Sequence, residues 1–538
     1  MINLENWMAR WWASPLVRPI LFASLVLLAL ALNLWHAGDV SIWYDEGWTY
    51  GLSSQHLHVM RRYIWGPFQN MALYYLFMHY WLQLLATLHI HPVEWLFRLP
   101  SVISAALSVG IVYLLGRRYF NTIAAIVGSA LYAMSGLILY AAHQARSYGM
   151  EMLFVCAAWY ALFAALTSGT ARARRWWWAI YSATMVLEIY THLYGFLVLA
   201  AQMSGLALLL ALPGPWRHRA RSSWLPIAMS LAAIAILVTP MVIDVKRFGG
   251  EAKWIPVPTP SDAQNFVLLL THGTTNGVLA ILSLGFCALA AVAATFASLR
   301  RSRWGDAVQL PAVWGERTSN LLERPRTGVL LLVCWLCVPF LLAYFASQPA
   351  LNAHLFYPRY LVVIAPPFAL LIGIAVSIWR SRIVQLALGV LLVGLTLTTL
   401  PDWYATNQIQ DFRTPAFWLE RQYRAGDGLT CAPVQFCSVP FEYYLEAYPG
   451  PAHFDGDSPG WWNWEYYFAP TYNLDAFKQY ATAHHRVFLL TLRQGPGVTP
   501  QSEAVADLGW LQAHAHLVSK EETASWAIYL FDTTPAAT

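Results

Sequence analysis

Two adjacent carboxylates, Asp45 and Glu46, follow the first apolar run of the sequence, within the segment Ser41-Ile-Trp-Tyr-Asp-Glu-Gly-Trp48. Adjacent acidic residues rarely share one proton. In a loop or a first helical turn, one carboxylate can face a cavity and act as a general base, while the other orients it or caps the helix. We therefore take Asp45 and Glu46 as candidate catalytic residues, with a solvated acidic loop or a simple helix cap as the alternative interpretation.

Further ionisable and hydrogen-bonding side chains recur in later connections between apolar runs, several of them within one helical turn of a run. These residues are Arg61, Arg62, Arg98, His143, Gln144, Arg146, Glu151, Glu188, His192, His354 and Arg359. Charged groups at membrane depth are costly unless they are paired, solvated in a cavity or used on a substrate. The set therefore predicts a polar cavity at one membrane boundary. As alternatives, the arginines could reach lipid headgroups, and Glu188 could simply pair with His192 on one helix face.

The elements that position these residues are predicted to be membrane-spanning helices. The chain has 538 residues, of which 58% are hydrophobic and 11% charged, and its mean hydropathy is +0.45. Soluble domains carry about 25% charged residues. Apolar runs of about 17 to 22 residues are each long enough to cross a bilayer as a helix. We predict a polytopic α-helical membrane protein with about eleven transmembrane helices. The predicted spans are 21–35, 99–116, 122–141, 150–166, 177–190, 193–212, 224–243, 278–299, 328–345, 360–378 and 383–400.

Arginine clusters set the predicted orientation. Connections such as those with Arg117 and Arg118, or with Arg219 and Arg221, alternate with connections poor in Lys and Arg. The positive-inside rule then places the N terminus in the cytoplasm, and Asp45 and all residues after 400 on the outer side of the membrane. The net charge of +5 consequently reflects topology rather than nucleic-acid binding. The segment Asn70–Leu88 is amphipathic and rich in Tyr and Trp, and is predicted to be an interfacial helix.

We divide the chain into a membrane domain, residues 1–400 with a first external loop at 36–98, and a periplasmic domain, residues 401–538. The second part is polar and mixed, and a small α/β domain is expected there. A helix at 414–424 leads through Gly426 to a possible strand, and further strands are predicted at 486–492 and 526–531. The aromatic stretch 456–472 is left unassigned. Cys431 and Cys437 could form a disulfide or remain free thiols.

No metal or other cofactor is predicted. The sequence has neither H-x-x-x-H nor D-x-D spacing among these residues, so a divalent cation is only weakly supported. The spacing Cys334-Leu-Trp-Cys337 lies within an apolar run, where cysteine usually packs as a small hydrophobic residue.

Seven segments occur in an order that resembles a known family. They are Asp45-Glu46, Gln69-Asn-Met-Ala-Leu-Tyr-Tyr-Leu-Phe-Met-His-Tyr-Trp81, Phe97-Arg-Leu-Pro-Ser101, Gly116-Arg-Arg-Tyr-Phe120, His143-Gln-Ala-Arg-Ser-Tyr148, Tyr190-Thr-His-Leu-Tyr-Gly195 and Tyr357-Pro-Arg-Tyr360. This order is similar to that of bacterial GT-C glycosyltransferases of the family 39 type, relatives of the protein O-mannosyltransferases and of the lipid A aminoarabinose transferase. The resemblance covers roughly residues 21–400.

The resemblance implies a polyprenyl-phosphate sugar as donor and an acceptor hydroxyl of a glycolipid, polysaccharide or protein outside the cytoplasm. It implies Asp45 as catalytic base with Glu46 as its neighbour. The residues expected to bind substrate are Arg61, Arg62, Asn70, Tyr74, Arg98, Gln144, Arg146, Glu151, His192, Tyr194, Tyr357 and Arg359. The chain departs from many relatives at Asn70-Met-Ala72, where a basic contact to phosphate is missing, and at His143-Gln144, where a carboxylate is missing. We expect Arg61, Arg62 or Arg359 to take over the phosphate contact.

A membrane transporter or flippase for a lipid-linked sugar is the main alternative function. Its polar residues would line a cavity near the middle of the bilayer, between two pseudo-symmetric halves. The sequence shows no such duplication, and its polar residues concentrate at one boundary. A lipid phosphatase, a ligase that moves a whole glycan, and a passive membrane anchor for the C-terminal domain fit the position of the acidic pair less well.

Overall fold

The structure, a computed structural model, describes residues 16–66, 69–211, 215–248, 251–272, 275–303, 319–379, 381–406, 410–432, 440–441, 443–445, 473–492, 502–523 and 525–534. Cys437 and the stretch 456–472, which the sequence left open, lie outside this set. Helices dominate the first 400 residues, because a backbone surrounded by lipid must satisfy its hydrogen bonds within its own segment.

The membrane part is built from long apolar helices joined by shorter ones. The long helices are α1 Val17–Leu34, α5 Glu94–Tyr119, α8 Tyr148–Thr167, α9 Ala171–Thr191, α10 Gly195–Ala211, α12 Trp224–Phe248, α14 Gly277–Arg303, α15 Ser319–Ala346 and α17 Arg382–Leu397. The shorter ones are α2 Tyr44–Ser53, α3 Leu57–Ile64, α4 Ala72–Thr87, α6 Thr122–Ala133, α7 Gly136–Ala142, α11 Pro215–Ser222, α13 Pro260–Leu270, α16 Ala365–Val376 and α18 Leu400–Thr406. Short 3-10 turns occur at Gln69–Met71, Glu251–Trp254 and Pro358–Ile364.

Helices occupy all eleven predicted span positions. Within the described part of the chain, seven helices are long and apolar enough to cross a membrane, and eight if the pair α6 and α7, bent by 57°, counts as one span. The chain is therefore a multi-pass membrane protein, and the polytopic helical fold is confirmed. The count of eleven spans and the orientation of the termini stay predictions.

The region between α1 and α5 holds three short helices near the acidic pair. The segment predicted as an interfacial helix begins with the turn Gln69–Met71 and continues as α4. This helix buries Tyr75 and Met78 and exposes Phe77 and Tyr80. Such a two-faced surface suits the membrane boundary, and the interfacial placement of α4 stays a prediction.

Helices α6 and α16 pack with almost no space between their backbones. A Cβ atom added at Gly373 of α16 would lie 2.4 Å from the carbonyl oxygen of Ala124 and 2.8 Å from the backbone nitrogen of Gly128. Membrane helices have no hydrophobic driving force against lipid, so close backbone contact through small residues is a main source of their packing energy.

The C-terminal part forms the expected small α/β domain. Its elements are α19 Arg413–Gln422, β1 Gly428–Ala432, α20 Leu474–Thr482, β2 Arg486–Leu492, α21 Ser502–His514, β3 His516–Glu522 and β4 Trp526–Asp532. The sheet has the order β1-β2-β4-β3, with β1 and β2 parallel and the other two pairs antiparallel. Three strands match the predicted ones, whereas β3 was not predicted. Cys431 of β1 is disulfide-bonded.

We predict that Gly373→Ala destabilises the protein by at least about 2 kcal/mol, because the added methyl group forces α6 and α16 apart. Gly394→Ala in α17 is the matched control, since no atom lies within 4 Å of the added carbon there. Thermal melting of both variants in detergent checks this. Equal melting temperatures would show that the contact between α6 and α16 is not tight.

Candidate active site

The connection from α1 to α2 is held by the guanidinium group of Arg98, which α5 brings beneath it. Arg98 is 1% exposed. Its Nη1 donates to the carbonyl oxygens of Ala37, at 2.7 Å, and Val40, at 2.8 Å, and its Nη2 donates to that of Ser41 at 3.0 Å. A guanidinium has five N–H groups, so these contacts use three of them.

Glu46 takes the remaining two N–H groups of Arg98. The Nε of Arg98 lies 2.8 Å from Oε1 of Glu46, and the Nη2 lies 2.6 Å from Oε2. The same carboxylate accepts hydrogen bonds from the backbone N–H of Ala145, at 2.7 Å, and of Trp43, at 3.3 Å, the latter at the start of α2. Glu46 is fully buried. It therefore holds α2 in place and caps it, as one of the two carboxylates was expected to do.

These contacts argue against the substrate-binding role predicted for Arg98, which stays a prediction. All five of its N–H groups are engaged by the protein, and Glu46 neutralises its charge within the protein interior. A phosphate could bind Arg98 only after a buried ion pair had been broken, which costs several kcal/mol. Arg98 is 1% exposed and Glu46 is fully buried, so in the described structure both side chains serve to hold the start of α2.

Asp45 points away from this pair toward two other arginines. Its side chain is 19% exposed, and its Oδ2 lies 3.3 Å from Nη1 of Arg359 and 4.0 Å from Nη2 of Arg146. Successive residues of a helix point about 100° apart, which explains how adjacent carboxylates serve two separate surroundings. The structure thus brings together one accessible acid and two cations from distant parts of the sequence.

Arg146 is fixed by the helix that carries Asp45. Its Nη1 donates to the carbonyl oxygen of Asp45, at 3.0 Å, and to the hydroxyl of Tyr75, at 3.2 Å, with a longer contact of 3.4 Å to Oγ1 of Thr49. Burial lowers the pKa of the Arg146 guanidinium, but Tyr75, Asp45, Tyr148 and Tyr360 together raise it, so that the pKa lies above its ordinary value. Arg146 therefore stays charged.

Arg359 is surrounded by aromatic rings. Its guanidinium carbon lies 4.8 Å from the ring centre of Tyr357, 5.0 Å from that of Trp43, and 5.4 Å from those of Trp254 and Tyr360. Cation–π contacts of this kind hold a guanidinium without neutralising it. Sequence reasoning named Tyr357 and Arg359 but missed Trp254, because tryptophans in loops beside membrane helices are first of all interpreted as interfacial anchors.

The four rings around Arg359, here called the ring cage, adjoin a second polar cluster through Tyr360. The ring of Tyr360 contacts those of His192 and Tyr194, at centroid distances of 5.2 and 5.1 Å. Nδ1 of His192 lies 3.4 Å from Oε1 of Glu151, and both side chains are fully buried. The structure therefore connects the predicted residues Glu151, His192 and Tyr194 to the site. Of the three, only Tyr194 keeps some exposed surface, at 7%.

The other predicted residues support this arrangement or lie apart from it. The hydroxyl of buried Tyr74 bonds that of Ser101, at 2.9 Å, and Oδ1 of Asn70 accepts from the backbone N–H of Leu193, at 3.3 Å. Gln144 is 2% exposed. In contrast, Arg61 and Arg62 are exposed in the last turn of α3, and neither forms an ion pair with Asp45 in the described structure. Among the described residues, no three His, Cys, Asp or Glu side chains are arranged to hold a metal ion.

We predict opposite outcomes for two isosteric substitutions of adjacent carboxylates. Glu46→Gln leaves the buried charge of Arg98 uncompensated and should destabilise the protein by about 3 kcal/mol or more. Asp45→Asn should cost much less stability, because the Asp45 carboxylate is 19% exposed and its contacts with Arg359 and Arg146 are longer, at 3.3 and 4.0 Å. Thermal melting and membrane yield of both variants check this. If Glu46→Gln is as stable as the native protein, the buried ion pair does not hold α2 in place.

Comparisons with known proteins agree with this architecture. Residues 76–243 match the sequence profile of the family described as dolichyl-phosphate-mannose-protein mannosyltransferase. ArnT from Cupriavidus metallidurans bound to undecaprenyl phosphate superposes with a TM-score of 0.59 at 13% identity, over 96% of this chain and 98% of that one. Its apo form gives the same TM-score at 14% identity and the same coverage.

The oligosaccharyltransferase of Archaeoglobus fulgidus, in complex with Zn and sulfate, superposes with a TM-score of 0.51 at 14% identity, over 87% of this chain and 67% of that one. No curated protein matches the chain in sequence. The superpositions span the membrane part and the C-terminal domain together, and the family profile covers residues 76–243 within the membrane part. The resemblance seen in the ordered motifs is thereby confirmed, and the chain is a multi-pass membrane protein with the fold of ArnT.

Proposed function

We propose that this chain is an inverting membrane glycosyltransferase. It would move a sugar from a polyprenyl-phosphate donor to a hydroxyl of a glycolipid, polysaccharide or protein on the periplasmic side of a bacterial inner membrane. One observation carries the proposal: the accessible carboxylate of Asp45 lies within 3.3 to 4.0 Å of the guanidinium groups of Arg359 and Arg146. The arginine bias of the connections supports the periplasmic side.

The chemistry needs few groups. Departing polyprenyl phosphate is a stable anion, so it requires no general acid, and one base that activates the acceptor hydroxyl is enough. Guanidinium groups stabilise the charge that grows on the leaving phosphate. A single displacement by the activated hydroxyl inverts the anomeric carbon. Asp45 supplies the base, and Arg359 and Arg146 supply the cations.

Binding of the donor would also prepare the base. Without substrate, the cations beside Asp45 compete with any hydroxyl for its carboxylate. A donor phosphate that binds Arg359 and Arg146 provides them with a second anion, and Oδ2 of Asp45 becomes free to accept a hydrogen bond from the acceptor. The Asp45 carboxylate would therefore be available as a base only after the donor has bound. Water or acceptor without donor would not be activated.

The known ligand of a structural relative supports the class of donor. The ArnT structure contains undecaprenyl phosphate, and this chain shares its fold over nearly its whole length. The half-exposed ring of Trp254 and that of Tyr357 lie beside Arg359, where they could pack against the apolar face of a sugar attached to the phosphate. The acceptor hydroxyl would then approach the anomeric carbon from the face opposite the leaving phosphate, with Asp45 next to the hydroxyl.

We predict that Asp45→Asn lowers sugar transfer about 10²- to 10⁴-fold, the usual contribution of a general base. Transfer from a radiolabelled polyprenyl-phosphate sugar in membranes measures this, and Asp475→Asn, at a carboxylate 93% exposed in the C-terminal domain, is the control. Full transfer by Asp45→Asn would exclude Asp45 as the base. No transfer by the native protein, together with movement of the donor across the bilayer, would instead favour a flippase.

We also predict that Arg359→Gln lowers kcat about 10²- to 10³-fold, the size expected on removal of one group that stabilises the charge of the transition state. Arg247→Gln is the matched control, because Arg247 also lies over an aromatic ring, that of Phe248, but at an exposed helix end. Kinetics with varied donor concentration separate kcat from KM. The same assay with a chelator tests whether a divalent cation is needed. Equal kcat for both variants would remove Arg359 from the proposed mechanism.

A further inference from the structure

The C-terminal domain forms hydrogen bonds with the segment that leads to Asp45. Nη2 of Arg413 donates to the carbonyl oxygen of Gly38 at 2.7 Å, and Nη1 donates to that of Asp39 at 3.2 Å. Arg98 already binds the carbonyls of Ala37, Val40 and Ser41. Five consecutive backbone carbonyls, residues 37–41, are thus held by two guanidinium groups, one from the membrane part and one from the C-terminal domain.

Arg413 is itself tied to the membrane part by an ion pair. Its Nε and Nη2 lie 2.7 and 2.6 Å from Oε1 of Glu94, which is 3% exposed in the first turn of α5. Glu94 precedes Arg98 by one helical turn. The same end of α5 therefore takes part in two ion pairs. It supplies the cation in the pair of Arg98 with Glu46 and the anion in the pair of Glu94 with Arg413, and the arginines of both pairs bind the carbonyls of segment 37–41.

Tyr444 adds a third connection, at the residues just before Asp45. Its buried hydroxyl accepts a hydrogen bond from the backbone N–H of Ile42, at 2.8 Å, and lies 2.9 Å from Oγ of Ser41 and 3.1 Å from Oε1 of Glu94. The Ser41 hydroxyl in turn accepts from the backbone N–H groups of Phe412 and Arg413, at 2.9 and 3.2 Å. Each part thus uses a side-chain hydroxyl to accept hydrogen bonds from the backbone of the other: Tyr444 from the membrane part, and Ser41 from the C-terminal domain.

The C-terminal domain also contacts the residues immediately before and after Asp45. The backbone N–H of Tyr44 donates to Oε1 of Gln410 at 3.3 Å. On the other side, Pro440 lies so close to α2 that a Cβ added at Gly47 would be 2.8 Å from its backbone nitrogen. Residues 38, 39, 41, 42, 44 and 47 of segment 38–47 therefore contact the C-terminal domain. The carboxylate of Asp45 and the ring of Trp43 in the same segment lie next to the site arginines.

We propose that Arg413 and Tyr444 are positioning residues, through which the C-terminal domain sets the place of the Asp45 carboxylate. This inference rests on the proposed function of Asp45 as base. A misplacement of about 1 Å at a reacting group can lower the rate about 100-fold. Loss of either residue therefore lowers kcat more than it weakens donor binding, because it removes neither of the donor-binding cations Arg359 and Arg146.

Hydrogen–deuterium exchange of the full-length protein tests the contact without any assay of activity. Tyr444→Phe removes the hydroxyl that accepts from the Ile42 amide, and exchange within peptide 38–47 should rise at least about tenfold. Tyr480→Phe is the matched control, because the Tyr480 hydroxyl accepts from the Leu429 amide inside the C-terminal domain, at 3.1 Å. That variant should accelerate exchange at Leu429 and leave peptide 38–47 unchanged.

Kinetics test the consequence for the reaction. Arg413→Gln should lower kcat about 10- to 100-fold, with KM for the donor within about threefold of the native value. Arg413→Lys keeps the charge opposite Glu94 but has three N–H groups instead of five, and should recover part of the lost kcat. If Tyr444→Phe yields no folded protein, this pair carries the test.

Two outcomes would overturn the proposal: unchanged exchange of peptide 38–47 in Tyr444→Phe, or an equal fall in kcat for Tyr444→Phe and Tyr480→Phe. The second outcome would mean that the C-terminal domain contributes only stability. If the native protein transfers no sugar, the proposed function fails, whereas the exchange experiment still decides whether the C-terminal domain holds the segment.

Discussion

The buried charge of Arg98 is the constraint on which the site depends. A guanidinium in the protein interior requires a counter-charge and an acceptor for each N–H group. Glu46 and the carbonyls of Ala37, Val40 and Ser41 meet this requirement only in one arrangement of the connection between α1 and α2. Satisfying Arg98 therefore fixes the start of α2, and with it the direction of Asp45. The need to compensate the buried charge of Arg98 thus determines the position of the accessible Asp45 carboxylate.

The sequence predicted the elements of the fold well, because hydropathy over a helix length is a strong signal and each apolar run has only one way to satisfy its backbone in lipid. It also named Asp45, Arg146 and Arg359 as candidates, since charged residues beside membrane helices are rare, and these three side chains lie together in the structure. It could not distinguish the arginine used for support from those facing the site. That difference lies in acceptors more than 50 residues away along the chain, which no local pattern records.

The C-terminal domain shows the same limit in another form. Strands β2 and β4 are apolar and buried, so their composition predicted them. Strand β3, His516–Glu522, is an edge strand with mostly exposed side chains and three charged residues at its end, which is how natural sheets protect their edges. Its hydrophobic pattern is correspondingly weak. The contacts of this domain with residues 38–47 likewise arise from tertiary structure alone.

The ring cage of Arg359 has a consequence for the energetics of ligand capture. An arginine side chain carries about 2 kcal/mol of rotamer entropy, part of which is normally lost when it grips an anion. Four aromatic rings of the protein itself restrict the rotamers of Arg359. A ligand that arrives there meets a pre-ordered cation, so little of its binding free energy is consumed in immobilising the receptor side chain.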